Sequence, residues 1–372
     1  MPESIQAQNR VELLHDGDAC FSALLGAIEA AQREILLEMY WFGSDATGRR
    51  FASALAQKAR DGVRVCITYD AAGSFGVDGA MFDGLRRAGA GVYEYRPVRM
   101  LLGRINLAAF NRRNHRKILV LDGRLGFTGG VNLADPWASV AAGGLGFRDD
   151  MIAIEGPAVT DMRDIFLATY RGRHRDDALR EKMDGAGASG TAPVRVLATD
   201  ARQKRRLIER SYLQQIRSAR ERILITNSYF IPSLTVRHAL AQAAKRGVIV
   251  RVLLPVESDV PAVTYATRAQ YGYMLRKGIE LYEWSQSILH SKTAVIDGRW
   301  CTVGTYNLDY RSLAFNLEIN VVVEDTHVAA KLEARMQRDM DASVRVDAHG
   351  WRFRPLGQRV LELFFYLFRK LL

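Results

Sequence analysis

The chain repeats itself, and the repeat limits what it can fold into. The segment HRKILVLDGRLGFTGGVNL, from His115, is matched by HSKTAVIDGRWCTVGTYNL, from His290, at nine of nineteen positions and an offset of 175 residues. An earlier pair also corresponds: AIEAAQREILLEMYWF from Ala27 and QIRSARERILITNSYF from Gln215, each reading as the end of a helix running into a strand. Each is followed by a helical stretch, from Ala54 or Ala239, that ends at Gly62 or Gly247 before a Val-rich strand. Two βαβ-like units are therefore expected, giving two duplicated α/β halves. Between them MDGAGASGTAP, residues 183–193, has no apolar period and reads as a linker. This predicts a first half over 1–182, a second over 194–350, and a distinct basic and apolar C-terminal segment over 351–372. GAGASG within the linker fits G-x-G-x-x-G only formally, because no strand precedes it and no helix follows.

Each copy of the long block carries H-x-K-x-x-x-x-D: His115, Lys117 and Asp122 in the first, His290, Lys292 and Asp297 in the second. The chain has 7 His, so two such matches in register with a repeat are not chance. ILVLD and TAVID read as buried strands, and the Asp-Gly pairs at Asp122 and Asp297 as hairpin turns. Strand alternation puts His115 and Lys117 on one face and Asp122 on the other; the same parity holds for His290, Lys292 and Asp297. The motif Asp is thus expected to be a turn or ion-pair residue, and the His and Lys to act together. On the return strands lie Asn132 and Asn307, preceded by Gly130 and Thr305, whose amide and backbone donors are expected to line a phosphate-sized cradle.

Two imidazoles, two ammonium groups and two amides suit a phosphodiester passing through a five-coordinate transition state. One His attacks phosphorus; the other protonates the leaving alkoxide and then activates the incoming alcohol or water. The scheme requires no metal and no cofactor. The residues themselves do not say which His does which.

These paired blocks, each followed by a Gly-Gly-x-Asn or Gly-Thr-x-Asn turn, resemble the phospholipase D superfamily over nearly the whole chain. The segments EILLEMYWF, NHRKILVLDGRLGFTGGVNL, FRDD followed by EGPAV, and NSYFIP are most similar to the bacterial cardiolipin synthases, in particular those without N-terminal transmembrane helices. The resemblance implies two α/β/α sandwiches facing each other, with both His at a pseudo-twofold interface. It implies a first-half nucleophile, His115, with His290 as acid and base. It also implies a carboxylate on a later strand for each His, and the matching positions are Glu318 and Asp149. An insertion after Asn132 breaks the constant offset, so Asp150 stands as the alternative to Asp149.

Charge and patterning bear on the substrate. With 52 basic against 41 acidic residues the net charge is +11, which favours polyanionic partners. QRVLELFFYLFRKLL, from Gln358, is too short to span a bilayer, but apolar mass among Arg354, Arg359, Arg369 and Lys370 fits an anionic interface as well as a core helix. The stretch from Arg99 to Arg113 sets Met100, Leu101, Leu102, Ile105 and Leu107 among arginines beside His115, which favours acyl chains over stacked bases. The basic run from Arg202 reads as a solvated helix face. The 3 Cys, Cys20, Cys66 and Cys301, read as buried free thiols, and MPESIQAQNR shows no secretory signal, so the cytoplasmic side is expected. The expectation is a monomeric, peripheral phosphatidyl transferase on the cytoplasmic face of the plasma membrane, joining two phosphatidylglycerols. A hydrolase or nuclease of the same fold is the alternative, and a non-catalytic lipid-binding module is disfavoured by the intact His and Lys pairs.

Overall fold

The computed structural model describes residues 5–97, 112–170, 179, 187–199 and 206–371. The first half supplies β1 (Gln6–His15), β2 (Glu34–Met39), β3 (Arg64–Asp70), β4 (Gly91–Tyr95), β5 (Ile118–Leu121), β6 (Leu125–Gly129) and β7 (Asp150–Glu155). The second supplies β8 (Ala192–Ala198), β9 (Arg222–Asn227), β10 (Ile249–Pro255), β11 (Glu280–Trp284), β12 (Lys292–Ile296), β13 (Trp300–Gly304), β14 (Ile319–Val323) and the short β15 (Val344–Arg345). The strand order β1-β7-β6-β5-β2-β3-β4 is reproduced as β8-β14-β13-β12-β9-β10-β11, so the duplication read from sequence is a duplication of topology. Antiparallel pairing of β1 with β8 joins the halves into one fifteen-stranded sheet among the described residues.

Local chemistry explains the elements. ILVL of β5 and INVVV of β14 are unbroken apolar runs because both faces of these strands are covered, and all nine residues are buried. The hairpins turn on Asp122 and Gly123, and on Asp297 and Gly298, at φ of 52° and 64°, and 51° and 60°. Positive φ at both central residues is what a two-residue turn matching the strand twist requires. Helices α1 (Gly17–Ala30), α2 (Ala46–Arg60) and α3 (Gly79–Arg87) cover one face of the first half, packing Phe21, Leu24, Phe51 and Leu55 on Leu37 and Leu119. Helix α2 starts where the Asp45 carboxylate accepts from Gly48 N at 2.9 Å.

Helix α4 (Ala158–Thr169) covers the other face of the first half, and α5 (Leu207–Ser218) and α6 (Leu234–Lys245) the outer face of the second. Following these are α7 (Pro261–Arg268), α8 (Tyr271–Arg276), α9 (Tyr310–Ala314), α10 (Thr326–Asp341) and α11 (Leu356–Leu367). One buried cluster takes Ile118, Ile152 and Phe166 from the first half together with Val196, Val321 and Met336 from the second. The halves thus share a core layer between them. The expected linker lies partly outside the described residues. Its described end runs along β1, with Ser189 N donating to Gln8 O at 2.9 Å, and β8 begins at Ala192. The three cysteines are free and buried.

Pairing directions set the position of the site. Strands β2 and β3 are parallel, as are β9 and β10, while β5 and β12 run antiparallel to β2 and β9. The ends of β2, β3, β9 and β10 therefore meet the starts of β5 and β12, into which the two His-x-Lys sequences lead. The two repeats point these ends at one another.

Candidate active site

The chain segments entering the two histidines are paired across the halves. His115 N donates to Leu317 O at 2.9 Å and Leu317 N to Arg113 O at 2.9 Å; Arg148 N donates to Ile288 O at 2.9 Å and His290 N to Arg148 O at 2.8 Å. The side chains follow. His115 Nδ1 donates to Glu318 Oε2 at 3.0 Å, and His290 Nδ1 to Asp149 Oδ2 at 2.7 Å. Each half thus supplies the carboxylate for the other half's motif histidine, and neither half holds a complete pair for its own.

Both carboxylates are fully buried, and other donors hold them in place. Thr305 Oγ1 donates to Glu318 Oε2 at 2.5 Å and Ser312 Oγ to Oε1 at 2.8 Å, while Trp137 Nε1 donates to Asp149 Oδ2 and Asp150 N to Oδ1, both at 2.8 Å. Burial raises the Glu318 carboxyl, but His115, Thr305 and Lys117 outweigh it and hold it below its ordinary range. His290, Lys292 and Trp137 do the same to Asp149 against its burial. Burial takes His115 down to about 4, against the pull of Glu318, and burial with the charge of Lys292 lowers His290. Both imidazoles are therefore neutral at pH 7. With Nδ1–H committed to a carboxylate, each leaves Nε2 as a lone pair.

The lysines lie beneath them. Lys117 Nζ donates to His115 O at 3.1 Å and sits 5.3 Å from the Tyr40 ring centroid; Lys292 Nζ donates to His290 O. Burial and the opposing ammonium of Lys292 bring Lys117 down to about 7, and burial brings Lys292 to about 8. Two buried cations, both lowered by burial and one lowered further by the other, are a site prepared for an anion. The His115 ring stands edge-on to Tyr40 at 4.9 Å and the His290 ring edge-on to Trp137 at 5.1 Å.

Other expected site residues are placed as follows. Asn132 Oδ1 accepts from Trp41 N at 3.1 Å and Asn307 Oδ1 from Ser228 Oγ at 2.9 Å, so only the amide NH2 of each can serve an anion. Gly130 and Thr305 do not offer backbone donors to a phosphate. Gly130 N donates to Asp150 O at 3.0 Å and Thr305 N to Ile319 O at 2.8 Å, because both N–H groups belong to the strand ladders. Their contribution is to seat the carboxylates: Thr305 through its hydroxyl, Gly130 by having no Cβ, which would fall 2.0 Å from Asp149 Oδ1.

Asp122 and Asp297, grouped with the catalytic residues by their motif, sit at the far turns as strand parity predicts. Asp122 accepts from the backbone N–H of Gln32, Arg33 and Glu34 at 2.7–2.9 Å, and Asp297 from those of Arg220, Glu221 and Arg222 at 2.9–3.0 Å. At about 3.3 Å per residue they lie roughly 17 Å from the lysines. Asp150, the alternative to Asp149, instead accepts from His15 Nδ1 at 2.6 Å and Arg148 Nη1 at 2.8 Å. Of the stretch Arg99 to Arg113, residues 99–111 lie outside those described; Arg113 is buried with Nη1 3.6 Å from Asp70. The first residues of the basic run from Arg202 also lie outside them, and its continuation in α5 buries Ile208, Tyr212 and Ile216.

Comparison with known proteins identifies the family. The family described as "Cardiolipin synthase, PLD-like domain" matches residues 24–141 and 212–340, one stretch in each half. The cardiolipin synthase of Oceanobacillus iheyensis is 32% identical over 97% of this chain and 75% of its own length. The chain belongs to the cardiolipin synthase family. With that family it falls among the phosphatidyltransferases of the phospholipase D superfamily. A cardiolipin synthase of Geobacillus sp. (strain WCH70) is 34% identical over 97% of this chain and 72% of its own. In fold the chain is similar to the phosphatidylserine synthase of Haemophilus influenzae Rd KW20, with a TM-score of 0.74 and 13% identity, covering 99% of this chain and 97% of the other.

Several residues of this cardiolipin synthase-family site have no repeat signature. Trp137 and Arg148 fall within the insertion that breaks the offset, and Tyr40 and Trp41 are followed in the second half by Ser228 and Tyr229 at the equivalent positions. Arg148, in the FRDD segment, is the buried hub behind His290. It bonds Asp339 Oδ2 at 2.7 Å as well as Asp150, and Ser291 Oγ donates to Asp150 Oδ2 at 2.5 Å. Among the described residues no helix is long and apolar enough to cross a membrane.

Proposed function

We propose that this chain is a cardiolipin synthase that joins two phosphatidylglycerols and releases glycerol, through a phosphohistidine on His115. The observation that carries the proposal is the pair of neutral imidazoles, each anchored at Nδ1 by a carboxylate from the other half, above two lysines. His115 Nε2 attacks phosphorus of the first lipid, and the bond to the headgroup glycerol breaks. The bound anionic diester, with Asp149, draws a proton from solvent onto His290 Nε2, and the glycerol oxygen takes that proton. A hydroxyl of the second phosphatidylglycerol then loses its proton to His290 and attacks the same phosphorus; the P–N bond breaks and both histidines return to their starting forms. Lys117, Lys292 and the amides of Asn132 and Asn307 hold the phosphoryl oxygens. Family likeness supports this order of the histidines.

Transfer in preference to hydrolysis is supported by burial, since His115 and His290 are only 8% and 5% exposed and an alcohol arriving on a lipid excludes water from the same opening. The reading includes a monomeric active unit acting peripherally at the cytoplasmic face of the plasma membrane. The test is incubation of the purified chain with phosphatidylglycerol vesicles and, separately, with single-stranded DNA. Cardiolipin and glycerol should appear in equal amounts, His115→Ala and His290→Ala should each abolish turnover, and a trapped phosphatidyl adduct should map to His115. Phosphatidic acid as the only lipid product, or cleavage of the DNA alone, would replace this reading with a hydrolase or a nuclease; an adduct on His290 would reverse the two roles.

A further inference from the structure

Helix α11 is inside out. Its inner face carries the polar anchors: Glu362 is buried and paired with Arg354, Tyr366 Oη accepts from Arg237 Nη1 at 3.2 Å, and the Arg369 guanidinium lies 4.4 Å from the Tyr366 ring centroid. Phe365, on the same side, stacks on Tyr265 of α7 at 5.4 Å. The outer face is apolar: Leu356, Val360, Leu363, Phe364, Leu367 and Phe368 are each 46–72% exposed. At about 100° per residue these six cover an arc of roughly 140° with no charge within it. Exposed Arg359 and Lys370 border one edge. A helix that faces water has the opposite arrangement, and a contiguous apolar face of this size marks a contact surface.

The position of this face is as informative as its composition. Arg311 Nη1, on the helix that follows Asn307, donates to Leu371 O at 3.2 Å, which ties the end of the α11 segment to the loops around the site. Other large exposed apolar side chains lie at the same end of the sheet. Phe75, 80% exposed, follows β3; Val140 and Leu145, 75% and 61%, lie between β6 and β7; Leu234, 65%, opens α6 after β9. All four follow strands that run toward the histidines.

We infer that the outer face of α11, with these loop tips, is the surface by which the protein docks on an anionic bilayer, so that the site opens into the headgroup layer. The choice of occupant rests on the phospholipid reading of the site and on charge. The only acidic residue of α11 is turned inward, the bordering charges are cations, and the chain carries +11 overall, so a second copy would bring like charge to the same face.

The test is sedimentation with sucrose-loaded vesicles, either phosphatidylglycerol with phosphatidylcholine in equal parts or phosphatidylcholine alone, using the full chain and the variant Leu363→Gln/Phe364→Gln/Leu367→Gln. The wild type should partition at least tenfold better to the anionic vesicles, and less well as salt rises. The variant should lose at least tenfold in partitioning while keeping its melting temperature and its turnover of dihexanoyl phosphatidylglycerol as dissolved monomers. The single variant Leu367→Glu gives the same readout with one outward side chain changed. Partitioning within twofold of wild type in both variants would overturn the inference. So would a wild-type dimer that the variants convert to monomer, since the face would then belong to a second copy. If the variants lose vesicle binding but the wild type does not turn over phosphatidylglycerol in any form, the docking surface stands and the functional reading fails.

Discussion

Replacing Glu318 with Gln keeps side-chain size and one acceptor for His115 Nδ1–H but removes the charge. When His115 Nε2 bonds to phosphorus the imidazole ring becomes cationic, and Glu318 Oε2 lies 3.0 Å from its Nδ1. At that separation and an effective dielectric of about 20, the carboxylate stabilises the cation by about 5 kcal/mol. The retained amide acceptor recovers on the order of 1–2 kcal/mol. A net loss of about 3–4 kcal/mol in the transition state is a fall in kcat of two to three orders of magnitude.

Stability should change little, because with the amide oxygen kept at the Oε2 position for His115 and Thr305, the NH2 takes the Oε1 position, where the Ser312 hydroxyl can turn to accept from it. Single-turnover rapid quench on detergent-dispersed phosphatidylglycerol would measure the step, and calorimetry the melting temperature. A second readout separates charge from mere packing. Glu318 raises His115 against the effect of burial, so its loss should move the acid limb of the pH profile to still lower pH. A rate within fivefold of wild type, or an acid limb that does not move in a normally folded variant, would refute the reasoning.

Gly130→Ala should cost at least about a hundredfold in kcat with a modest change in melting. The new Cβ would fall 2.0 Å from Asp149 Oδ1 and push that carboxylate away from His290; full activity would show that Asp149 can be moved without consequence. Asp122→Asn leaves one oxygen where two accept three backbone N–H groups, and should lower stability by about 1–3 kcal/mol by urea denaturation, with activity lost only in proportion to unfolding. A large kcat defect in a stable Asp122 variant would return this residue to the catalytic set. The acid His290, lowered by its burial, and the two lysines should together set the alkaline limb. Lys117 at about 7 and Lys292 at about 8 are charged below those values and neutral above, so kcat/KM should fall as pH rises through 7–8, while protonation of His115 should lower it only near 4. A flat profile from pH 6 to 9 would show that substrate does not depend on the ammonium forms.

Periodicity along the chain already contains the duplication, the two hairpins and the separation of each motif Asp from its His and Lys. These depend on residues a few positions apart and on strand alternation, which obeys the same geometry in any fold. By the same local logic the segment from Gln358 reads as an apolar helix with cations. What periodicity does not contain is any contact made across the halves. Glu318 reaches His115 over 203 residues of chain and Asp149 reaches His290 over 141, and the exchange of carboxylates appears only once the repeats face one another. Gly130 and Thr305 look like phosphate donors in the sequence because the strand ladders that occupy their N–H groups are themselves long-range pairings with the residues that follow Asp149 and Glu318. The direction in which α11 turns its apolar arc was likewise decided by packing. The Arg354–Glu362 pair and the Phe365–Tyr265 stack hold the other face against the domain, leaving leucines and phenylalanines where a sequence pattern alone would permit either a core or a membrane.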